Sequence, residues 1–211
     1  MSLPKKKLIL DKLALLFPDP QPSLVGWETP FQFLVAILLS GNSTDKAVNT
    51  VTPQLFLKAP SPETMSSLSF EQLYALIKPC GLGERKASYL LDLSRCLLRN
   101  YQGNPPKTLD ELTSLPGVGR KTASVFLSVL YNMETFPVDT HILRLAQRWG
   151  ITKAKTPTAA EKDLVKFFGQ KNSRKLHLQL ILFARKYCPA KGHQVSSCPI
   201  CSCLSKQKTP D

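Results

Sequence analysis

Leu115-Pro116-Gly117-Val118-Gly119-Arg120-Lys121-Thr122-Ala123 spells a glycine-punctuated turn that opens into a helix. A hydrophobic run, Leu112 to Leu115, leads in, and a strongly apolar segment, Thr122 to Leu130, leads out at helical spacing. Gly117 and Gly119 carry no side chain, so backbone can come close to an anion there. The first unpaired N–H groups of the helix that follows point outward at it. The stretch thus predicts a clamp for one phosphate, with Arg120 and Lys121 beside it. The same letters also spell a simple connection between two helices.

Helical periodicity recurs outward from this turn in both directions. It predicts helices over 8–17, 31–39, 46–57, 70–77, 86–98, 108–115, 122–130, 140–149, 159–168 and 174–187, and no convincing alternating strand. Breaks are expected at Pro18-Asp19-Pro20, Pro53, Pro60-Ser61-Pro62, Gly81, Gly103-Asn104-Pro105-Pro106, Pro137 and Pro157. The expected class is all-α, about ten helices in short-loop succession. The turn has an imperfect echo in Cys80-Gly81-Leu82-Gly83-Glu84-Arg85-Lys86-Ala87, where Leu82 would stand at the tip as an apolar wedge. A plain helix connection accounts for the echo equally well.

The 211 residues carry 28 Lys and Arg against 15 Asp and Glu, a formal charge of +13. That balance favours a polyanionic partner, with nucleic acid ahead of an anionic membrane, because no apolar run approaches the roughly 20 residues a spanning helix requires. Lys5-Lys6-Lys7 followed by Leu8-Ile9-Leu10 imitates a signal peptide, but Asp11 and Lys12 break the run and no small-residue cleavage site follows. The segment reads as a basic amphipathic helix of an intracellular, DNA-associated protein. Four of the six cysteines, Cys188, Cys198, Cys201 and Cys203, crowd into the C-terminal segment, which speaks for a metal centre rather than a disulfide scaffold. Four thiolates suit a 4Fe-4S cluster or a tetrahedral zinc ion, and the residues alone leave the two nearly even. Lys191 and His193, in the long loop between Cys188 and Cys198, could reach phosphates or merely keep the loop soluble.

Two other residues have a plain reading and a chemical one. Lys121 heads its helix, where the positive end of the macrodipole disfavours an ammonium, and only a neutral lysine is a nucleophile. On position alone a phosphate-contacting surface cation is the stronger reading. Asp139, in Phe136-Pro137-Val138-Asp139-Thr140-His141, is placed to cap the next helix, and it could instead move a proton or stabilise a cationic sugar.

Taken together, these residues resemble the helix-hairpin-helix DNA glycosylases, and within them the endonuclease III group, bifunctional glycosylases and AP lyases for oxidised pyrimidines. The resemblance covers nearly the whole chain. It rests on Leu115 to Ala123, on Val138-Asp139-Thr140-His141 with Arg144, on Leu38-Leu39-Ser40 with Thr44-Asp45, and on the terminal cysteines. It implies a six-helix barrel over 23–134 carrying the hairpin at about 108–130. It also implies a second helical domain from 1–22 plus 135–211 that holds a 4Fe-4S cluster, zinc being the less favoured occupant. It further implies that Lys121 is the Schiff-base nucleophile and Asp139 its acidic partner, with Gly117, Gly119, Arg120, Asn42, Leu82, His141, Arg144 and Lys191 facing DNA and Cys188, Cys198, Cys201 and Cys203 binding metal. The implied protein is a monomer acting on damaged or abasic double-stranded DNA in the cytoplasm or nucleoid, with no membrane partner.

The sequence departs from the group's pattern in two places. Gly41-Asn42 stands where the group has alanine and glutamine, and Cys-x6-Cys-x2-Cys-x5-Cys becomes Cys188-x9-Cys198-x2-Cys201-x-Cys203. The rival expectations are a monofunctional mismatch glycosylase with little lyase activity and a non-enzymatic, zinc-containing DNA-binding module.

Overall fold

In the computed structural model, residues 3–131, 133, 136–169 and 173–206 are described. They form twelve α-helices and, among the described residues, no strand. The chain divides into two compact units, one from Pro22 to Met133 and one from Met1–Gln21 with Glu134–Asp211.

The first unit contains α2 (Pro30–Ser40), α3 (Asp45–Lys58), α4 (Pro62–Ser66), α5 (Phe70–Ile77), α6 (Gly83–Tyr101), α7 (Leu109–Ser114) and α8 (Arg120–Tyr131). Its centre is α2, whose residues Phe31 to Leu39 are all buried, so the helix has no solvent face and reads apolar all round. Thr29 caps it by accepting from the Gln32 N–H, and Pro30 fits the first turn, where no intrahelical N–H bond is needed. The one polar side chain in this buried run is satisfied: Gln32 donates to the Pro60 carbonyl and accepts from the Glu28 N–H. Helices α3, α6 and α8 pack around α2, with Phe33 stacked on Phe126 at 6.1 Å between ring centroids.

Two expectations about the helices need correction. Pro53 does not break the chain but lies inside α3, forgoing one backbone bond at a cost of about 3 kcal/mol. Burial of Val48, Val51, Leu55 and Phe56 on the same helix offsets that cost, at about 1.5–3 kcal/mol for each fully buried side chain. Two short helices, α4 and α12 (Cys201–Lys206), were not expected.

The second unit has its own core. It is built from α1 (Leu3–Leu16), α9 (Thr140–Arg148), α10 (Pro157–Phe168), α11 (Ser173–Lys186) and α12, and Phe136, Ile142, Leu145, Trp149, Leu164 and Phe183 are buried in it. Helices α10 and α11 pack on α9, and α1 lies on α11. Gln179 of α11 fastens α1 by donating to the Leu13 and Phe17 carbonyls at 3.3 and 2.8 Å. No helix among the described residues is long and apolar enough to cross a membrane.

Candidate active site and metal centre

The α7–α8 joint is a turn through Leu115, Pro116, Gly117 and Val118, closed by the Val118 N–H donating to the Leu115 carbonyl at 3.1 Å. Gly117 sits in the left-handed region at φ +75, as the third residue of a Pro-Gly turn of this kind requires. A Cβ there would meet the Tyr89 ring at 2.8 Å and Leu38 at 3.0 Å, so only glycine fits. Leu115 and Val118 plug inward, 3% and 4% exposed. Gly117, Gly119, Arg120 and Lys121 face outward, with no protein atom within 4 Å of where a Gly119 Cβ would lie. Lys121 is the second residue of α8, at the positive end of the helix.

A second constellation brings together the loops after α2 and before α6. Asn42 and Leu82 are both exposed and both left-handed, at φ 54 and 60. Asparagine tolerates this conformation; a leucine in it is strained by roughly 1 kcal/mol or more. The loops touch: a Cβ on Gly81 would run into the Asn42 carbonyl and lie 3.7 Å from the Ser43 hydroxyl. Lys86 fastens them from below. Its ammonium is buried and donates to the Leu39 carbonyl and the Ser43 hydroxyl, each at 2.7 Å. Burial pushes the Lys86 amine below its ordinary pKa and the neighbouring Cys80 thiol above its own. Lys86 was missed as a site residue because a lysine on an amphipathic helix reads as a solvated face.

In the other unit, Asp139 caps α9 by accepting from the Ile142 N–H at 2.8 Å, with extended backbone at φ −110. The approach strand of chain is held by His177, whose Nδ1 is 2.9 Å from the Pro137 carbonyl. Helix α9 also carries His141 and Arg144, expected to face DNA. Both face each other, Arg144 Nη2 to His141 Nδ1 at 3.2 Å, while Arg144 Nε donates to the Cys188 carbonyl at 3.2 Å. Arg144 therefore ties α9 to the cysteine loop. Arg148, a basic residue with no local signal of a role, does more of the same. It donates to the Cys188 sulfur at 3.1 Å and to the carbonyls of Cys188, Pro189 and Ala190.

That loop holds a candidate metal centre, in which His193 joins three of the four cysteines. The ligand atoms of Cys188, His193, Cys198 and Cys201 all lie within 4.8 Å of one another, and Cys203 is outside the group. The Cys203 thiol instead donates to the Pro199 carbonyl one helical turn back, at 3.4 Å. In α12, Cys201 and Cys203 are two residues apart, and residues at that spacing face opposite sides of a helix, so both cannot turn to one site. Nε2 of His193 is buried and has no hydrogen-bond partner. Hydrogen bonds from Cys188 and Cys201 hold Cys198 far below the ordinary thiol pKa, and hydrogen bonds to Cys188 and Cys198 drive Cys201 well above it, because crowded sulfurs share one negative charge. Lys191 is exposed on the same loop.

Residues 35–170 match the helix-hairpin-helix GPD superfamily of base excision DNA repair proteins. Endonuclease III of Bacillus subtilis is 37% identical over 210 residues, covering 99% of this chain and 95% of that protein. Endonuclease III of Rickettsia prowazekii is 39% identical, covering 91% of this chain and 92% of that protein. A solved structure of a trapped endonuclease III–DNA covalent intermediate is 36% identical with a TM-score of 0.88, covering 97% of this chain and 99% of that one. A thermostable thymine-DNA glycosylase, 18% identical with a TM-score of 0.81 over 93% of each chain, shares the fold. On these matches the chain belongs to the helix-hairpin-helix GPD superfamily of base excision DNA repair proteins.

Proposed function

We infer that this chain is a bifunctional base excision repair enzyme, acting inside the cell on double-stranded DNA that carries oxidised pyrimidines or abasic sites. The observation that carries the reading is the exposed lysine at the head of α8, directly after the phosphate-sized turn, in a chain 36% identical to an endonuclease III trapped as a covalent DNA intermediate.

The backbone of Gly117 to Gly119 and the side chain of Arg120 grip a phosphate, helped by the net charge of +13. Leu82 and Asn42, presented side by side by the two clamped loops, enter the duplex and fill the space of the extruded nucleotide. A damaged base stacks and pairs poorly, so its extrusion costs less, which supplies part of the selectivity. The neutral Lys121 amine attacks the sugar C1′, the C1′–N bond breaks and the base leaves with a proton. Opening of the sugar ring gives an iminium joining Lys121 to C1′. Loss of a C2′ proton then expels the 3′ phosphate, and water frees the lysine. Asp139 takes part in the proton transfers and steadies the cationic intermediate. Lys191 faces the backbone of the DNA. The metal centre holds the loop from Cys188 to Cys201, and no step passes through it. The resemblance to endonuclease III favours a 4Fe-4S cluster in it, and the donor set favours a single ion.

Borohydride trapping on duplex DNA with thymine glycol tests the reading. Wild type is expected to form a covalent adduct and to nick the strand, and Lys121→Ala to lose both by more than about a thousandfold while still binding DNA. Base release without nicking or trapping would point to the monofunctional alternative. Binding without either would leave a passive module.

A further inference from the structure

The occupant of the metal centre can be argued from the spacing of its donors. A zinc ion bonded to sulfur at about 2.3 Å in a tetrahedron sets its ligand atoms roughly 3.8 Å apart. A 4Fe-4S cube stands between its four thiolates and keeps them roughly 6 Å from one another. In this chain the Cys188 and Cys201 sulfurs are 4.0 Å apart, and all four donors, His193 included, fall within 4.8 Å. They do not span a cube.

Three further features agree. A cube of this kind takes four thiolates, and the fourth available cysteine is turned away on α12 with its thiol bonded to the Pro199 carbonyl. The His193 imidazole is a borderline nitrogen donor grouped with three sulfurs, and its Nε2 is buried with no hydrogen-bond partner, an unsatisfied state that a cation would remove. Charge also balances: three thiolates around a divalent ion leave one negative charge, and the Arg148 guanidinium sits on the Cys188 sulfur at 3.1 Å.

We propose that Cys188, His193, Cys198 and Cys201 form a mononuclear tetrahedral zinc site that takes the place of an iron–sulfur cluster in this chain. The stretched interval between Cys188 and Cys198 has a purpose on this reading, since it delivers His193. The ion closes the loop onto α9 through Arg144 and Arg148, the helix that Asp139 caps. The proposal is independent of the glycosylase reading, because its test measures metal and not strand nicking.

The full chain is produced with iron and zinc both supplied, purified without air, and assayed for metals and acid-labile sulfide. One zinc per chain, no sulfide and no brown visible absorption are expected. Iron and sulfide in equal amounts with that absorption would overturn the proposal, and so would a chain that retains no metal. Exchange with cobalt should give the intense thiolate-to-cobalt charge-transfer bands of a tetrahedral three-sulfur site. His193→Ala is expected to weaken zinc binding by more than about a hundredfold, beyond what loss of an outer partner costs, and His193→Cys to restore it. Cys203→Ser should leave zinc content unchanged. If Cys203→Ser loses the metal the assignment is wrong, and this arm decides the matter even where His193→Ala does not fold.

Discussion

Gly117-Val118-Gly119 and Gly81-Leu82-Gly83 share a spelling and the same place before a long helix, yet they fold into opposites. In the first, the left-handed residue is the glycine and the apolar residue is swallowed, with Val118 4% exposed. In the second, the left-handed residue is the leucine itself and it stands 55% exposed. The difference lies in what each glycine is for. Gly117 makes room for Tyr89 and Leu38, and so lets the turn sink onto the core. Gly81 makes room for the Asn42 carbonyl, a neighbouring loop, and so forces its successor outward. One turn is held by burial and offers its backbone; the other is held by a buried ammonium and offers a side chain.

Substitutions can break or sharpen this contrast. Gly117→Val adds a branched side chain at positive φ against a ring and should cost about 3 kcal/mol, read as a fall of roughly 10 °C in melting temperature. DNA affinity should fall with it. Val118→Ala removes a buried plug and should cost about 2 kcal/mol in denaturant unfolding. Leu82→Gly, at the matching position of the other turn, should raise stability by about 0.5 kcal/mol, since strain is relieved and no core contact is lost. Base release from thymine glycol DNA should nevertheless slow by about tenfold. A Leu82→Gly protein that is both less stable and fully active would mean that Leu82 is a packing residue like Val118, and the contrast would fail.

The helices were legible where punctuation and periodicity agreed. Phe70–Ile77 is a helix with a Ser69 capping box, as its spacing predicts. α4 and α12, five and six residues long, are too short to show a period, and the cysteines of α12 drew attention as ligands rather than as helix positions. The same shortness of α12 hides the geometry of the metal centre. Without α12, nothing in the letters said that Cys201 and Cys203 face apart, although Cys-x4-His-x4-Cys-x2-Cys was there to be read. The position of Lys121 at the start of α8 and of Asp139 as a cap could be read from the glycines and from the residues around Thr140. The left-handed Leu82, the buried Lys86 and the grip of Arg148 on Cys188 could not. Each depends on a partner from a distant part of the chain, which no local propensity encodes.

Helix α1 has a consequence for how the protein is made. It leaves the ribosome ahead of the whole unit from Pro22 to Met133, yet Ile9 and Leu13 are buried among α9 to α11, and Gln179, which fastens Leu13, lies 166 residues later. At about 5–20 residues per second, α1 waits roughly ten to thirty seconds for its partners. Fourteen residues are marginal for an isolated helix, so during that interval the apolar stripe is a nascent-chain hazard. The three lysines Lys5 to Lys7 at its head would repel other copies of the emerging chain until the last helices arrive.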